Sequence, residues 1–460
     1  MSGAAPPAAT TLSTGLVLAG VAALLLVVPL ALLMRRDERA LPLLAVLALP
    51  FRLPVSADGR TVNLLIPLYV VVAAGTLARL VPRVRRALAR GAALPAPPRS
   101  WRAWLAPRGL QWLLLGSVAL YALQAAYSSD VAKAAENLAF FYIPFALLFF
   151  LLLEVRWTQQ LLLACLGVAV ALAVVFAGIG FVEYHRKTLF LNPKVVAANQ
   201  YDNYFRVNSL FFDPNIYGRF LALVMVAVTA VVLWCSRRRD EIACGAVLAW
   251  LLAGLVTSFS QSSIAALLLG LAVLAAWRWE LRATVYAASA LVLLALAVVL
   301  AAPSGLHFGL SGSSGSASNA TSGRTKLIQG GLELFAERPV QGHGAGSFER
   351  AYKQHDLGAG AQNATSASHT IPVTVAAEQG VVGLAVYAAL LAVALAVLFR
   401  GSGRSPPRIA VAACFAALVL HTWTYADFLE DPLTWTLLGI GVALARAEGG
   451  ERCARTSSAS

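Results

Sequence analysis

Apolar runs of about 17–25 residues recur along this chain, and each is long enough to cross a bilayer as a helix. The expected spans are 15–34, 61–81, 109–127, 138–154, 159–181, 215–235, 242–257, 262–278, 283–303, 373–399, 408–423 and 432–446. A shorter run at 41–55, broken by Pro50, Arg52 and Pro54, reads equally as a short span, a re-entrant piece or an interfacial helix. Of the 460 residues, 59% are hydrophobic and 13% charged, whereas a soluble domain is nearer a quarter charged. Inside lipid every backbone polar group needs a partner in its own segment. The expected fold is therefore all-α and polytopic, with about 12 or 13 transmembrane helices in a single membrane domain over 1–460.

The net charge of +14 does not point to nucleic acid, because it is concentrated in alternate short loops. Arg83, Arg85, Arg86 and Arg108, then Arg156, Arg237 to Arg239, Arg278 with Arg282, and Arg400, Arg404 and Arg408 mark one face. By the positive-inside rule that face, with the tail 447–460, is cytoplasmic. The opposite set, 128–137, 182–214, 258–261, 304–372 and 424–431, is exterior. No nucleotide-binding P-loop occurs, so exterior chemistry needs a pre-activated substrate. The first apolar run ends in Arg35-Arg36-Asp37-Glu38-Arg39, a stop-transfer pattern and not a cleavable signal peptide. Cys165, Cys235, Cys244, Cys414 and Cys453 have no metal-ligand spacing and read as unpaired thiols.

The two large exterior loops carry the candidate chemistry. The longer one, 304–372, holds His307, His343, His355 and His369, four of the six histidines. Its Gly305 to Gly323 stretch is Gly/Ser-rich and reads as mobile. Thr325 to Glu337 has apolar residues at near-helical spacing and reads as an amphipathic helix at the membrane interface, ended by Pro339. Arg324 would then stand beside the helix N-terminus, where cation and amides suit a phosphate. Gly342-His343-Gly344-Ala345-Gly346 reads as a flexible turn. In the shorter loop, Arg206 runs against the positive-inside trend and suggests an anionic partner, while Asp213 and Pro214 are a helix cap and first turn. His369 stands at the mouth of a span as a possible general base. Glu378 is an intramembrane carboxylate, functional by default or hydrogen-bonded to a neighbouring helix. Gln261, in the polar hairpin Ser258 to Ser263, can contact sugar or satisfy the hairpin. No DxD, HxH or HExxH motif is present, and no metal or other cofactor is expected.

Three patches, within about 200–446, resemble the bacterial O-antigen ligase and O-antigen polymerase family. The first is Arg206 followed by Phe212-Asp213-Pro214-Asn215. The second is Gly323-Arg324-Thr325, followed by Glu337-Arg338-Pro339 and the G-x-G-x-G-x-F pattern from Gly342 to Phe348. The third is Ser368-His369-Thr370 followed by Glu378-Gln379-Gly380-Val381-Val382-Gly383. Thr370 replaces the family's frequent Asn, and Gln261 its frequent Arg. The resemblance implies inverting, metal-independent glycosyl transfer at the exterior (periplasmic) face of the bacterial inner membrane. The donor would be an undecaprenyl-diphosphate-linked glycan, and the acceptor a glycan or a lipid A-core type molecule. Arg206 and Arg324 would hold the diphosphate, and His369 would act as base or orient diphosphate and acceptor. Asn215, Gln261, His343 and Glu378 complete the expected substrate-contacting set. The other functional class is a transporter or flippase of lipid-linked oligosaccharide, whose signature would be repeated halves with broken helices.

Overall fold

A computed structural model describes residues 14–57, 60–91, 96–191, 205–234, 237–279, 316–355, 368 and 370–457. The expected span 283–303 lies outside these residues, as do His307 and His369. Among the described residues, eight helices are long and apolar enough to cross a membrane. Tertiary contacts divide the chain into two units, residues 1–93 and 94–460.

In the first unit, α1 (Thr14–Arg36) is followed by the nine-residue α2 (Ala40–Ala48). A hairpin of β1 (Leu53–Ala57) and β2 (Arg60–Leu64) then leads into α3 (Ile66–Ala89), which contains a π-helical stretch at Thr76–Leu80. The hairpin is the one departure from an all-helical chain among the described residues. Its register pairs Ala57 with Arg60. The body of α1 packs along Ile66–Gly75, and its C-terminal end meets the π-helical stretch. There Arg79 donates to the carbonyls of Met34 and Glu38 at 3.4 Å, and Arg35 to that of Leu77 at 3.3 Å. Thus α1 and α3 run the same way. The intervening chain must return from the level of Arg79 to that of Ile66, about 20 Å. The ambiguous 41–55 run is this return, built from a short helix and a hairpin. At about 14 Å, α2 is too short to cross alone.

The second unit is a helical bundle. Its elements are α4 (Pro107–Ala125), α5 (Val131–Leu153), α6 (Gln159–Arg186), α7 (Pro214–Trp234), α8 (Arg238–Thr257) and α9 (Gln261–Arg278). Then come α10 (Ser316–Glu337), α11 (Phe348–His355), α12 (Ile371–Phe399), α13 (Pro406–Thr424) and α14 (Pro432–Ser457). Helix α7 is packed by α6, α8, α9 and α13. Glycines permit the close approaches: a Cβ on Gly218 would overlap Ser263, and one on Gly270 would overlap Val226. At one end of the bundle arginines close helix C-termini. Arg408 donates to the carbonyls of Val397 and Arg400 and pairs with Glu448 at 2.7 Å, and Arg278 donates to Leu233. The other end gathers the N-termini of α5, α7, α12 and α14, the α8–α9 turn and the end of α13. The candidate residues lie there.

Several helix limits differ from the sequence reading. The expected span 61–81 starts as β2, and its helix runs over Ile66–Ala89. Helix α14 continues to Ser457, through most of the expected 447–460 tail. Helix α10 begins at Ser316, so Ser316 to Gly323 is helical despite its Gly/Ser-rich composition. Arg324 therefore lies eight residues inside α10, about 12 Å from its first residue, and not beside the helix N-terminus. Helix α5 begins at Val131, capped by the Asp130 carboxylate, which accepts from Lys133 N at 3.0 Å. Most of the expected 128–137 loop is therefore its first turns.

Candidate active site

Arg206 is half-buried and held from two sides. Its Nε donates to the Ser258 carbonyl at 3.1 Å, and Nη2 to Asn215 Oδ1 at 3.2 Å. Its neighbour Val207 donates to Thr257 O at 3.2 Å, fastening the strand of chain to the end of α8. Asn215 is the second residue of α7. Its own amide donates to the Asp213 carboxylate at 2.6 Å, the cap expected from the Asp-Pro-Asn sequence. Ser260, the N-cap of α9, donates to the same Asn215 Oδ1 at 2.9 Å. The short α8–α9 turn thus supplies a carbonyl to Arg206 and a hydroxyl to its partner. Gln261 follows at the first position of α9 and is exposed.

The loop carrying Arg206 is anchored by Glu183, which sequence reasoning passed over. This fully buried carboxylate accepts from the amides of Phe190 at 3.0 Å, Asn208 at 3.3 Å and Ser209 at 2.7 Å. Three amide donors replace the water that an enclosed carboxylate gives up. Below Arg206, Arg219 and Asp431 form a buried ion pair at 2.8 Å, and Tyr425 hydrogen-bonds Asp213. Those two contacts tie α7 to the α13–α14 connection. Glu430 in the same connection accepts from Asn137 at 2.9 Å. Burial, then the nearby Asp427 carboxylate, pushes the Glu430 carboxyl up to about 8.

Backbone strain concentrates at this end. Among the described residues, the non-glycine residues with positive φ are Lys187, Ser209, Phe259 and Asp427. They fall in the connections after α6, after Arg206, between α8 and α9, and between α13 and α14. Such conformations each cost about 1–3 kcal/mol and cluster where a site is held in place by its surroundings.

A second junction joins the glycine-rich loop to α12, and it is built mainly from backbone. Gly380 (φ 64, ψ −165) breaks α12. The carbonyls released by the break are taken up: His343 N donates to Ala377 O at 3.1 Å, Gly344 N to Glu378 O at 2.8 Å, and Gln124 Nε2 to Gln379 O at 3.2 Å. In return Val381 N donates to Pro339 O at 2.8 Å. Gly342, Gly344 and Gly346 all have positive φ. A Cβ on Gly342 would strike the Glu378 carbonyl, and one on Gly344 would strike Ser128. The expected flexible turn is therefore pinned, because its amides complete a broken helix. The Glu378 side chain is spoken for as well: its two oxygens accept from Gly346 N at 2.9 Å and Phe348 N at 3.0 Å, at the start of α11. Of the two readings open for Glu378, this geometry is the hydrogen-bonding one. His343 is also buried, with Nε2 3.1 Å from the Leu334 carbonyl at the end of α10. Burial lowers its pKa, with the Leu334 bond opposing.

Helix α10 packs on α11 and the first turns of α12 through Leu334, Phe348, Tyr352 and Ala377. A Cβ on Gly330 would overlap Tyr352, and one on Gly331 would overlap Val373. His355 at the end of α11 reaches Glu333 at 3.2 Å and Glu337 at 2.7 Å, and the Glu333 contact first among them raises its pKa. Arg324 occupies the same helical face as Leu327 and Gly331, by its spacing of three and seven residues; its side chain is outside the description. His369 is likewise outside it, but its covalent neighbours are fixed. Ser368 is buried, its hydroxyl bonded to the Thr370 carbonyl at 2.8 Å and 2.9 Å from Thr374 Oγ1.

Of the expected residues, the structure brings Arg206 and Asn215 into direct contact, with Gln261 on the adjoining turn. It places His343 and Glu378 in the separate α12 junction. Among the described residues no group of three or more His, Cys, Asp or Glu side chains could hold a metal ion. Residues 246–388 match the family model described as O-antigen ligase. The match includes Gln261, Arg324, His343, His369 and Glu378, while Arg206 and Asn215 precede it. The match covers less than a third of the chain and supports the resemblance to the O-antigen ligase and polymerase family and a glycosyl-transfer function of that type. No curated protein matches the chain.

Proposed function

We propose that this multi-pass membrane protein transfers a glycan from an undecaprenyl-diphosphate-linked donor to an acceptor hydroxyl, with inversion and without a metal. The acceptor is a growing glycan or a lipid A-core type molecule. The reaction takes place at the periplasmic face of the bacterial inner membrane. The arginine-rich helix ends lie cytoplasmic, which sets α1 with its N-terminus outside. In the reaction the acceptor oxygen bonds to the anomeric carbon, the bond from that carbon to the diphosphate oxygen breaks, and the lipid diphosphate leaves with the electron pair. His369, at the N-terminal mouth of α12, takes the acceptor proton. Arg206 and Arg324 hold the departing charge, a role for which planar guanidinium forks suit phosphate oxygens without a cation. Glu378 and His343 act at a distance, by fixing the loop between Arg324 and His369.

The observation that carries this reading is the half-buried Arg206, oriented by Ser258 and Asn215 amid strained connections at one end of the bundle. The test is incubation of the purified protein with a short lipid-diphosphate glycan and candidate acceptors. Release of lipid diphosphate coupled to product growth is expected, and the product identifies the acceptor. Movement of the donor across a bilayer with no bond broken would contradict it.

A further inference from the structure

Behind Arg206 the hydrogen bonds continue into the bundle and end on a buried histidine. Arg206 has only donors, so the Asn215 atom it meets is the amide oxygen. That oxygen cannot donate, so the Ser260 hydroxyl hydrogen is directed to it. Ser263 Oγ has one hydrogen, given to the Asn215 carbonyl at 3.3 Å or to Ser260 Oγ at 2.7 Å. With its hydrogen so used, Ser263 Oγ accepts from His421 Nε2 at 3.1 Å. Ser262 Oγ, 3.3 Å from His421 Nε2 and 3.2 Å from Ser260 Oγ, offers a longer parallel link, and Ser263 Oγ also lies 3.3 Å from the Asn215 carbonyl. His421 is fully buried, and its Nδ1 has no hydrogen-bond partner among the described residues. An apolar side chain would fill that volume without leaving a polar atom unpaired. The Ser260 donor fixes the Asn215 amide in the rotamer that turns its oxygen to the guanidinium.

We propose that His421, with its proton on Nε2, is a positioning residue that orients Arg206 through Ser263, Ser260 and Asn215. The inference rests on the reading of Arg206 as a diphosphate ligand. His421 touches no substrate. It fixes the place of the oxygen against which the guanidinium is braced, so its loss should weaken donor binding selectively.

The experiment is steady-state kinetics of full-length protein, varying lipid-diphosphate glycan and acceptor separately, with direct binding of undecaprenyl diphosphate measured alongside. His421→Leu should raise the donor KM and weaken diphosphate binding about 10-fold, the scale of one hydrogen bond to a charged group. The acceptor KM should not move. His421→Gln, which returns a donor near the Nε2 position, should recover most of the loss. Ser263→Ala removes one oxygen and tests the relay should His421→Leu not fold; it should show the same donor-selective defect. An unchanged donor KM in folded His421→Leu or Ser263→Ala overturns the inference alone. So does a fall in kcat with both KM values unmoved, or a glutamine variant as impaired as the leucine one. Wild-type protein that neither binds undecaprenyl diphosphate nor releases it overturns the function reading, and this inference with it.

Discussion

The Arg206 cluster and the α12 junction lie at the same end of the bundle and are both rich in polar groups, yet they are built differently. At α12 the contacts run mostly between backbone groups, and the one carboxylate accepts two amide hydrogens. At Arg206 a half-buried cation is held by the Ser258 carbonyl and by the Asn215 side chain, which Ser260 braces in turn. The first arrangement stabilises a broken helix. The second orients a guanidinium near solvent, the arrangement proposed here to receive the diphosphate. A buried polar group is therefore a poor guide to chemistry until its partners are counted.

Substitutions should separate the two regions. The largest effect is expected from Arg206→Ala, which should lower transfer about 10²–10³-fold with little change in thermal unfolding. Comparable loss of stability would erase the distinction. Glu378→Gln should do the reverse. It turns an amide donor toward a backbone N–H and should destabilise the protein by about 2 kcal/mol, while the donor KM of the folded fraction is unchanged. Unfolding in detergent and kinetics on the same preparation check both. Gly380→Ala meets the positive φ and the Val340 carbonyl, so a loss of about 1–3 kcal/mol is expected. A neutral result would show that α12 is not broken there.

The smallest effect concerns Glu430, which stands between the two regions. Its folded pKa is raised from 4.5 to about 8. A raised folded pKa means that the protonated form is the favoured one in the fold. Its contribution is fully present below about 4.5 and is lost as pH rises through about 8. Glu430→Gln should therefore flatten the decline in unfolding temperature across that window. An equally steep decline in the variant would place the titrating group elsewhere.

The helices were legible because hydrocarbon admits few alternatives to a long apolar helix. The Asp213-Pro214 start of α7 was legible because its capping is local. Ser316 to Gly323 reads as loop by composition, yet it continues a helix whose later turns pack on α11 and α12, and packing outweighs weak propensity. The role of the glycine-rich loop needed its partner, since nothing local to Gly342 announces the Glu378 carbonyl. Likewise Ser263 with His421, and Arg219 with Asp431, are far apart in the chain and meet only through helix packing.

Equilibrium binding of undecaprenyl diphosphate to wild-type, Arg206→Ala and Glu378→Gln proteins in lipid nanodiscs addresses the central claim most directly. The account predicts that Arg206→Ala weakens binding by about 100-fold, the loss of a charge-assisted pair, and that folded Glu378→Gln binds as the wild type does. Equal binding by Arg206→Ala, or a loss confined to Glu378→Gln, would contradict it.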